Sequence, residues 1–149
     1  MNRKFLEKYK SSYVSHSEHD TVNLAKDLAS GLKAGDIIAL IGDIGTGKTT
    51  FVKAIAKALG ISETVSSPTF TIVREYRSGK FPLFHFDVYR LSNEDEFYDI
   101  GAEEYLYGDG ITIIEWADIV EDALPLNTMI IEIKYGNNEG ERIFNFSVK

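Results

Sequence analysis

Residues Leu40–Phe51 read LIGDIGTGKTTF. Gly42, Asp43, Ile44, Gly45, Thr46, Gly47, Lys48 and Thr49 satisfy every fixed position of the spacing G-x-x-x-x-G-K-[ST]. Glycines in such a run let successive backbone N–H groups converge on phosphate oxygens, and a following helix adds the positive end of its dipole. Lys48 is expected to reach the β- and γ-phosphates of a nucleotide, and the Thr49 hydroxyl to meet Mg²⁺. A chance match is the competing explanation, and the flanks argue against it. DIIALI at 36–41 reads as a strand buried on both faces, and KTTFVKAIAKALG reads as a helix stopped by Gly60. The motif does not choose between ATP and GTP. The chain has neither the Asn-Lys-x-Asp stretch with which many GTPases read guanine nor any Asp-x-x-Gly, which favours ATP.

On either side of this loop the elements follow from local pattern. Ser17 is a candidate N-cap with Asp20 three residues on, and Leu24, Leu28 and Leu32 form one apolar helical stripe ending near Gly35. From Thr69 to Leu91 the pattern is strand-like, TFTIVREY then FPLFHFDVYRL, with RSGK as the turn. SNEDEFYDI predicts a short capped helix beginning after Ser92, and ITIIEW at 111–116 another buried strand. The tail, TMIIEIKYGNNEGERIFNFSVK, predicts a hairpin turning at 136–140. One α/β domain over 1–149 results, a P-loop NTPase-like three-layer arrangement whose mixed sheet has a parallel core plus antiparallel hairpins.

Composition agrees with one globular domain: 149 residues, 44% apolar and 26% charged. No apolar run nears the roughly 20 residues that span a bilayer, and the Met-Asn-Arg-Lys start lacks the apolar core of a signal peptide. With no cysteine there is neither a disulfide framework nor a thiolate metal site, and a cytoplasmic protein is expected. The net charge of −7 argues against autonomous nucleic-acid binding, which rests on a basic footprint. The densest basic stretch, REYRSGK at 74–80, is short, contains Glu75, and reads most simply as a solvated hairpin.

A phosphate loop needs a carboxylate at the end of a neighbouring strand to hold Mg²⁺ or its water. Glu115 closes ITIIE in the expected place, the alternative being a strand-end glutamate in water. In HFDVYR, strand alternation puts His85, Asp87 and Tyr89 on one face and Phe84, Phe86 and Val88 on the other. Asp87 could orient the attacking water; the alternative is a half-buried strand with a polar outer face. Trp116 is the single tryptophan, a residue that by itself reads as core packing. SSPTF at 66–70 reads as a polar loop fixed by Pro68, in which Thr69 could sense the γ-phosphate.

Taken in order, a helix beginning near EHDT, then GDIGTGKTT, SSPTF, HFDVYR, IIEW and a C-terminal hairpin, the chain resembles the TsaE (YjeE) family. These are small P-loop ATPases of the bacterial machinery that makes N6-threonylcarbamoyladenosine in tRNA. The lead MNRKFLEKYKSSYVSH is longer than that pattern requires. The resemblance implies a nucleotide site at Gly42, Asp43, Gly45, Thr46, Gly47, Lys48, Thr49 and Thr50, with Thr21 near the nucleotide and Thr69 in a switch-like loop. It implies Mg²⁺ on Thr49 and Glu115, and a part in hydrolysis and function for Lys48, Asp87, Glu115 and Trp116. It also implies an ATPase accessory of the TsaD–TsaB pair, with tRNA held mainly by those partners and no membrane. No arginine finger is visible, Arg90 being expected on the opposite strand face, so turnover should be slow without partners. Two other readings stay open: a small-molecule or nucleoside kinase, although no arginine-rich lid segment is present, and a non-hydrolysing ATP sensor.

Overall fold

In a computed structural model, which describes residues 3–149, the apolar run Ile37–Ile41 lies at the middle of one seven-stranded sheet. In chain order the elements are α1 (Arg3–Tyr9), β1 (Ser12–Ser15), α2 (Glu18–Ser30), β2 (Ile37–Ile41), α3 (Lys48–Ala58), β3 (Val73–Tyr76) and β4 (Leu83–Asp87). They continue with α4 (Glu94–Asp99), α5 (Ala102–Leu106), β5 (Ile111–Glu115), a 3-10 segment (Ala117–Ala123), β6 (Met129–Tyr135) and β7 (Arg142–Val148). The strand order is β1-β7-β6-β2-β5-β4-β3. β6, β2, β5 and β4 run parallel, while β3 pairs antiparallel with β4, β7 with β6, and β1 with β7.

Side chains of the parallel strands alternate between two cores. Ile38, Leu40, Ile111 and Ile113 pack with Leu24 and Leu28 of α2 and Phe51 and Ile55 of α3. Ile37, Ala39 and Ile114 pack on the other face with Phe97 of α4, Leu106 of α5 and Val120 of the 3-10 segment. Helices on both faces explain why β2 has no polar side chain, and the fully buried Ile38 and Leu40 each contribute about 1.5–3 kcal/mol. Among the described residues, no helix is long and apolar enough to cross a membrane.

Local signals and structure agree at several points. Ser17, in extended conformation, caps α2 by accepting from the Asp20 N–H at 3.1 Å, and Asn93 caps α4 through the Glu96 N–H at 3.1 Å. The tail forms the expected hairpin, and β6 also pairs in parallel with β2. Other expectations are corrected. α2 ends at Ser30 with Gly31 as its cap, short of Gly35, since both residues are weak helix formers; Leu32 is still buried beyond it. TFTIVREY is strand only from Val73, because the Ile72 N–H turns back to the Pro68 carbonyl (2.6 Å) with φ +70. β4 stops at Asp87, where a turn closes from the Leu91 N–H to the Val88 carbonyl, so Tyr89 leaves the face shared by His85 and Asp87. The competing reading of this strand, a polar outer face, does not hold, since His85 and Asp87 are 0% and 5% exposed.

The lead, for which the sequence predicts no element, supplies α1 and β1. Phe5 enters the core edge-on to Phe146 (5.1 Å), and Lys8 and Tyr9 both donate to Asp27 on α2.

Candidate functional site

Parallel register brings the carboxyl ends of β2, β5 and β4 to one edge, with Leu40 opposite Glu115 and Glu115 opposite Asp87. Ligand sites of open α/β sheets form at such strand ends. Here the glycine-rich loop leaves β2 and turns into α3 at Gly47, whose φ of +97 lies in the left-handed region that glycine adopts without strain.

Lys48 begins α3 and is only 5% exposed. Its ammonium donates to the Gly42 carbonyl and, at 2.8 Å, to the Asp43 carbonyl, and lies 4.1 Å above the Trp116 ring. Burial pushes its pKa below the ordinary lysine value, against the opposing pull of Glu115, Asp43, Asp87 and Asp118. A desolvated cation resting on neutral carbonyls is electrostatically suited to receive an anion.

The Thr49 hydroxyl donates to Glu115 at 3.0 Å (Oε1) and 3.3 Å (Oε2), and the second oxygen lies 2.6 Å from His85 Nε2. Hydroxyl and carboxylate are hard oxygen donors suited to Mg²⁺, which typically takes one or two carboxylates and completes its shell with phosphate and water. Among the described residues there is no group of three or more His, Asp or Glu that could hold a metal ion.

Asp87 Oδ2 accepts from the Ser67 and Thr69 hydroxyls, both at 3.2 Å, and Oδ1 accepts from the Tyr89 N–H at 3.0 Å. The SSPTF loop is thereby tied to the end of β4. A cavity of about 360 Å³ brings Asp87, Glu115, Lys48, Thr49, Ser67 and Trp116 together. Trp116 reaches it because its φ of +61 turns the chain sharply after β5; its ring also meets Tyr89 at 4.7 Å.

On the other side of the loop a cavity of about 270 Å³ is lined by Thr21, Thr46, Thr50 and Arg142 among others, and Gly45, Gly47 and Thr50 border both spaces. Thr21, held by Ser15 at 2.7 Å, thus stands beside the loop although far from it in sequence. Gly42 and Asp43 line a third adjacent space of about 340 Å³ with Trp116 and Asp118. The thirteen positions singled out by sequence therefore lie on or around one loop, Thr69 through its bond to Asp87. Arg90 lies over the exposed Phe70 ring at 4.4 Å.

Sequence reasoning assigned no role to four further residues here. His85 and Ser67 touch the two carboxylates, and alternation in HFDVYR was the available signal for His85. Tyr135 and Arg142 bond the loop from 91 and 96 residues away, a separation at which no local pattern speaks.

The profile of one family, described as threonylcarbamoyl adenosine biosynthesis protein TsaE, matches residues 15–144. The tRNA threonylcarbamoyladenosine biosynthesis protein TsaE of Bacillus subtilis is 48% identical over 126 residues, 84% of this chain and 78% of that protein. Its namesake in Treponema pallidum is 42% identical over 129 residues, 85% of this chain and 95% of that protein. The crystal structure of Bacillus subtilis YdiB superimposes with a TM-score of 0.79 at 38% identity, over 92% of this chain and 84% of that one. From a profile match over most of its length and these identities, the chain belongs to the TsaE family of threonylcarbamoyl adenosine biosynthesis proteins.

Proposed function

We propose that the chain is a single-domain P-loop NTPase-like protein, an Mg²⁺-dependent cytoplasmic ATPase that supports threonylcarbamoyl modification of adenosine in tRNA together with TsaD and TsaB. The observation that carries this reading is the convergence of the Gly42–Thr49 loop, the Thr49–Glu115 hydrogen bond and Asp87 on one cavity. Lys48 and the loop amides bind the phosphates and meet charge developing on the transferring phosphoryl group. Thr49 and Glu115, already joined by a hydrogen bond, would hold Mg²⁺, which would neutralise phosphate charge there. Asp87, held by its three donors, orients the attacking water, and Trp116 supports the Lys48 ammonium. Thr21 and Thr50 border the space for the rest of the nucleotide.

Among the described residues, no arginine lines the cavity beside Asp87 and Glu115. A group supplied by the partners, or their ordering of the SSPTF loop, therefore completes the site, a contribution worth about 10³–10⁵ in rate elsewhere. The acidic net charge of −7 fits tRNA being held by the partners.

Phosphate release from ATP, measured for the protein alone and with TsaD, TsaB and tRNA, tests the proposal. Stimulation by the partners is expected, with Asp87→Ala keeping nucleotide binding and losing turnover about 10²–10⁴-fold. Binding without phosphate release in any mixture would leave an ATP sensor; phosphate appearing on an added small molecule or nucleoside would make the protein a kinase.

A further inference from the structure

The carboxyl end of β6 and the start of β7 form a device against the carbonyls of the glycine-rich loop. Tyr135 and Arg142 are register partners across the hairpin, and the guanidinium lies 4.8 Å from the centre of the Tyr135 ring. The Tyr135 hydroxyl donates to the Ile44 carbonyl at 2.7 Å. Arg142 donates through Nε to the Thr46 carbonyl at 3.2 Å and through one terminal nitrogen to the Gly45 carbonyl at 3.4 Å. Its other terminal nitrogen bonds the Glu141 carbonyl at 2.8 Å, fixing the fork to its own strand. Three consecutive loop carbonyls, 44 to 46, are thus taken by two side chains of one hairpin end.

In a trans peptide plane the carbonyl and the following N–H point in opposite directions. Holding the Ile44 and Thr46 carbonyls toward the hairpin therefore turns the Gly45 and Gly47 amides the other way. The fit is close: a Cβ on Gly45 would lie 2.6 Å from the Tyr135 hydroxyl. Tyr135 is half exposed, so these bonds compete with water and contribute little to global stability; their effect is local order in the loop.

We propose that Tyr135 and Arg142 are positioning residues that pre-set the loop's amides for phosphate by clamping its carbonyls from the hairpin end. This rests on the nucleotide reading of the loop, but the clamp itself is testable without any ligand.

The variants are Tyr135→Phe, Arg142→Met and Arg142→Lys, the last keeping the charge but losing the planar fork. Backbone ¹⁵N order parameters of Gly45, Thr46 and Gly47 are measured in the ligand-free full chain, and MgADP is titrated by Trp116 fluorescence. All three variants are expected to lower the loop's order parameters from about 0.85 toward 0.6 and to raise the MgADP Kd about five- to tenfold. Melting temperature should hold within about 2 °C. Unchanged order parameters would overturn the proposal. So would full affinity in Arg142→Lys, which would make the arginine a simple counter-charge, or full affinity in Tyr135→Phe. If the wild type bound no MgADP, the nucleotide reading would fail while the order parameters still decided the clamp.

Discussion

A methyl group on Gly42 would stand 2.5 Å from the Ile133 carbonyl oxygen and 2.9 Å from Thr46 Oγ1. The first contact is backbone of β6, which is bonded to β2 on one side and β7 on the other, so it cannot withdraw. Gly42→Ala must therefore lift the loop off the sheet, at the upper end of overpacking, about 3 kcal/mol. Gly47→Ala is the matched control. Its Cβ meets nothing within 4 Å, and only the left-handed φ of +97 is penalised, by about 1–2 kcal/mol. For a chain of this size the melting temperature falls by about 3 °C per kcal/mol, so losses of about 9 °C and about 3–6 °C are expected.

A local signal separates the two variants as well. The Lys48 ammonium is bonded to the Gly42 and Asp43 carbonyls and stands 4.1 Å above the only tryptophan. Lifting the loop in Gly42→Ala carries those carbonyls away and changes Trp116 emission in the folded protein; Gly47→Ala leaves it as in the wild type. Thermal melts with urea titrations and emission spectra read both effects. A Gly42→Ala protein as stable as Gly47→Ala, with unaltered emission, would show that the loop is not seated against β6 as described.

Two further outcomes follow from smaller features. Ser17→Ala removes the side chain that caps the thirteen-residue α2 and should reduce unfolding free energy in urea by about 0.5–2 kcal/mol, with Ser17→Gly losing only a few tenths. Hydrogen bonds from Lys8 and Tyr9 hold the Asp27 carboxyl below its usual pKa, so its contribution to docking α1 is full above about pH 4 and fades as acid titrates the folded state. Amide exchange over residues 3–9 should accordingly be faster in Asp27→Asn at neutral pH, and that difference should vanish in strong acid; equal exchange at neutral pH would remove Asp27 from the docking contact.

What sequence alone determined is local. The loop from Gly42 to Thr49, the buried run of β2, the Ser17 cap and the terminal hairpin were legible because each rests on residues a few positions apart whose spacing has one cheap conformation. The place of Glu115 at the end of β5 was legible because an apolar run closed by an acid reads as a buried strand and its last residue. Tertiary structure decided the rest. Only the register of β4 against β5 sets Asp87 opposite Glu115, and only burial between two helical layers makes His85 the partner of Glu115. The strand breaks at Ile72 and after Asp87 depend on bonds into the SSPTF loop and the turn at Leu91, which outweigh a β-rich composition. α1 and β1 are too short to announce themselves and are held by Phe146, Asp27 and β7. Tyr135 and Arg142 reach the loop because β6 is shared between a local hairpin and a long-range parallel pair with β2, a pairing set by where the chain can bury both faces of its sheet.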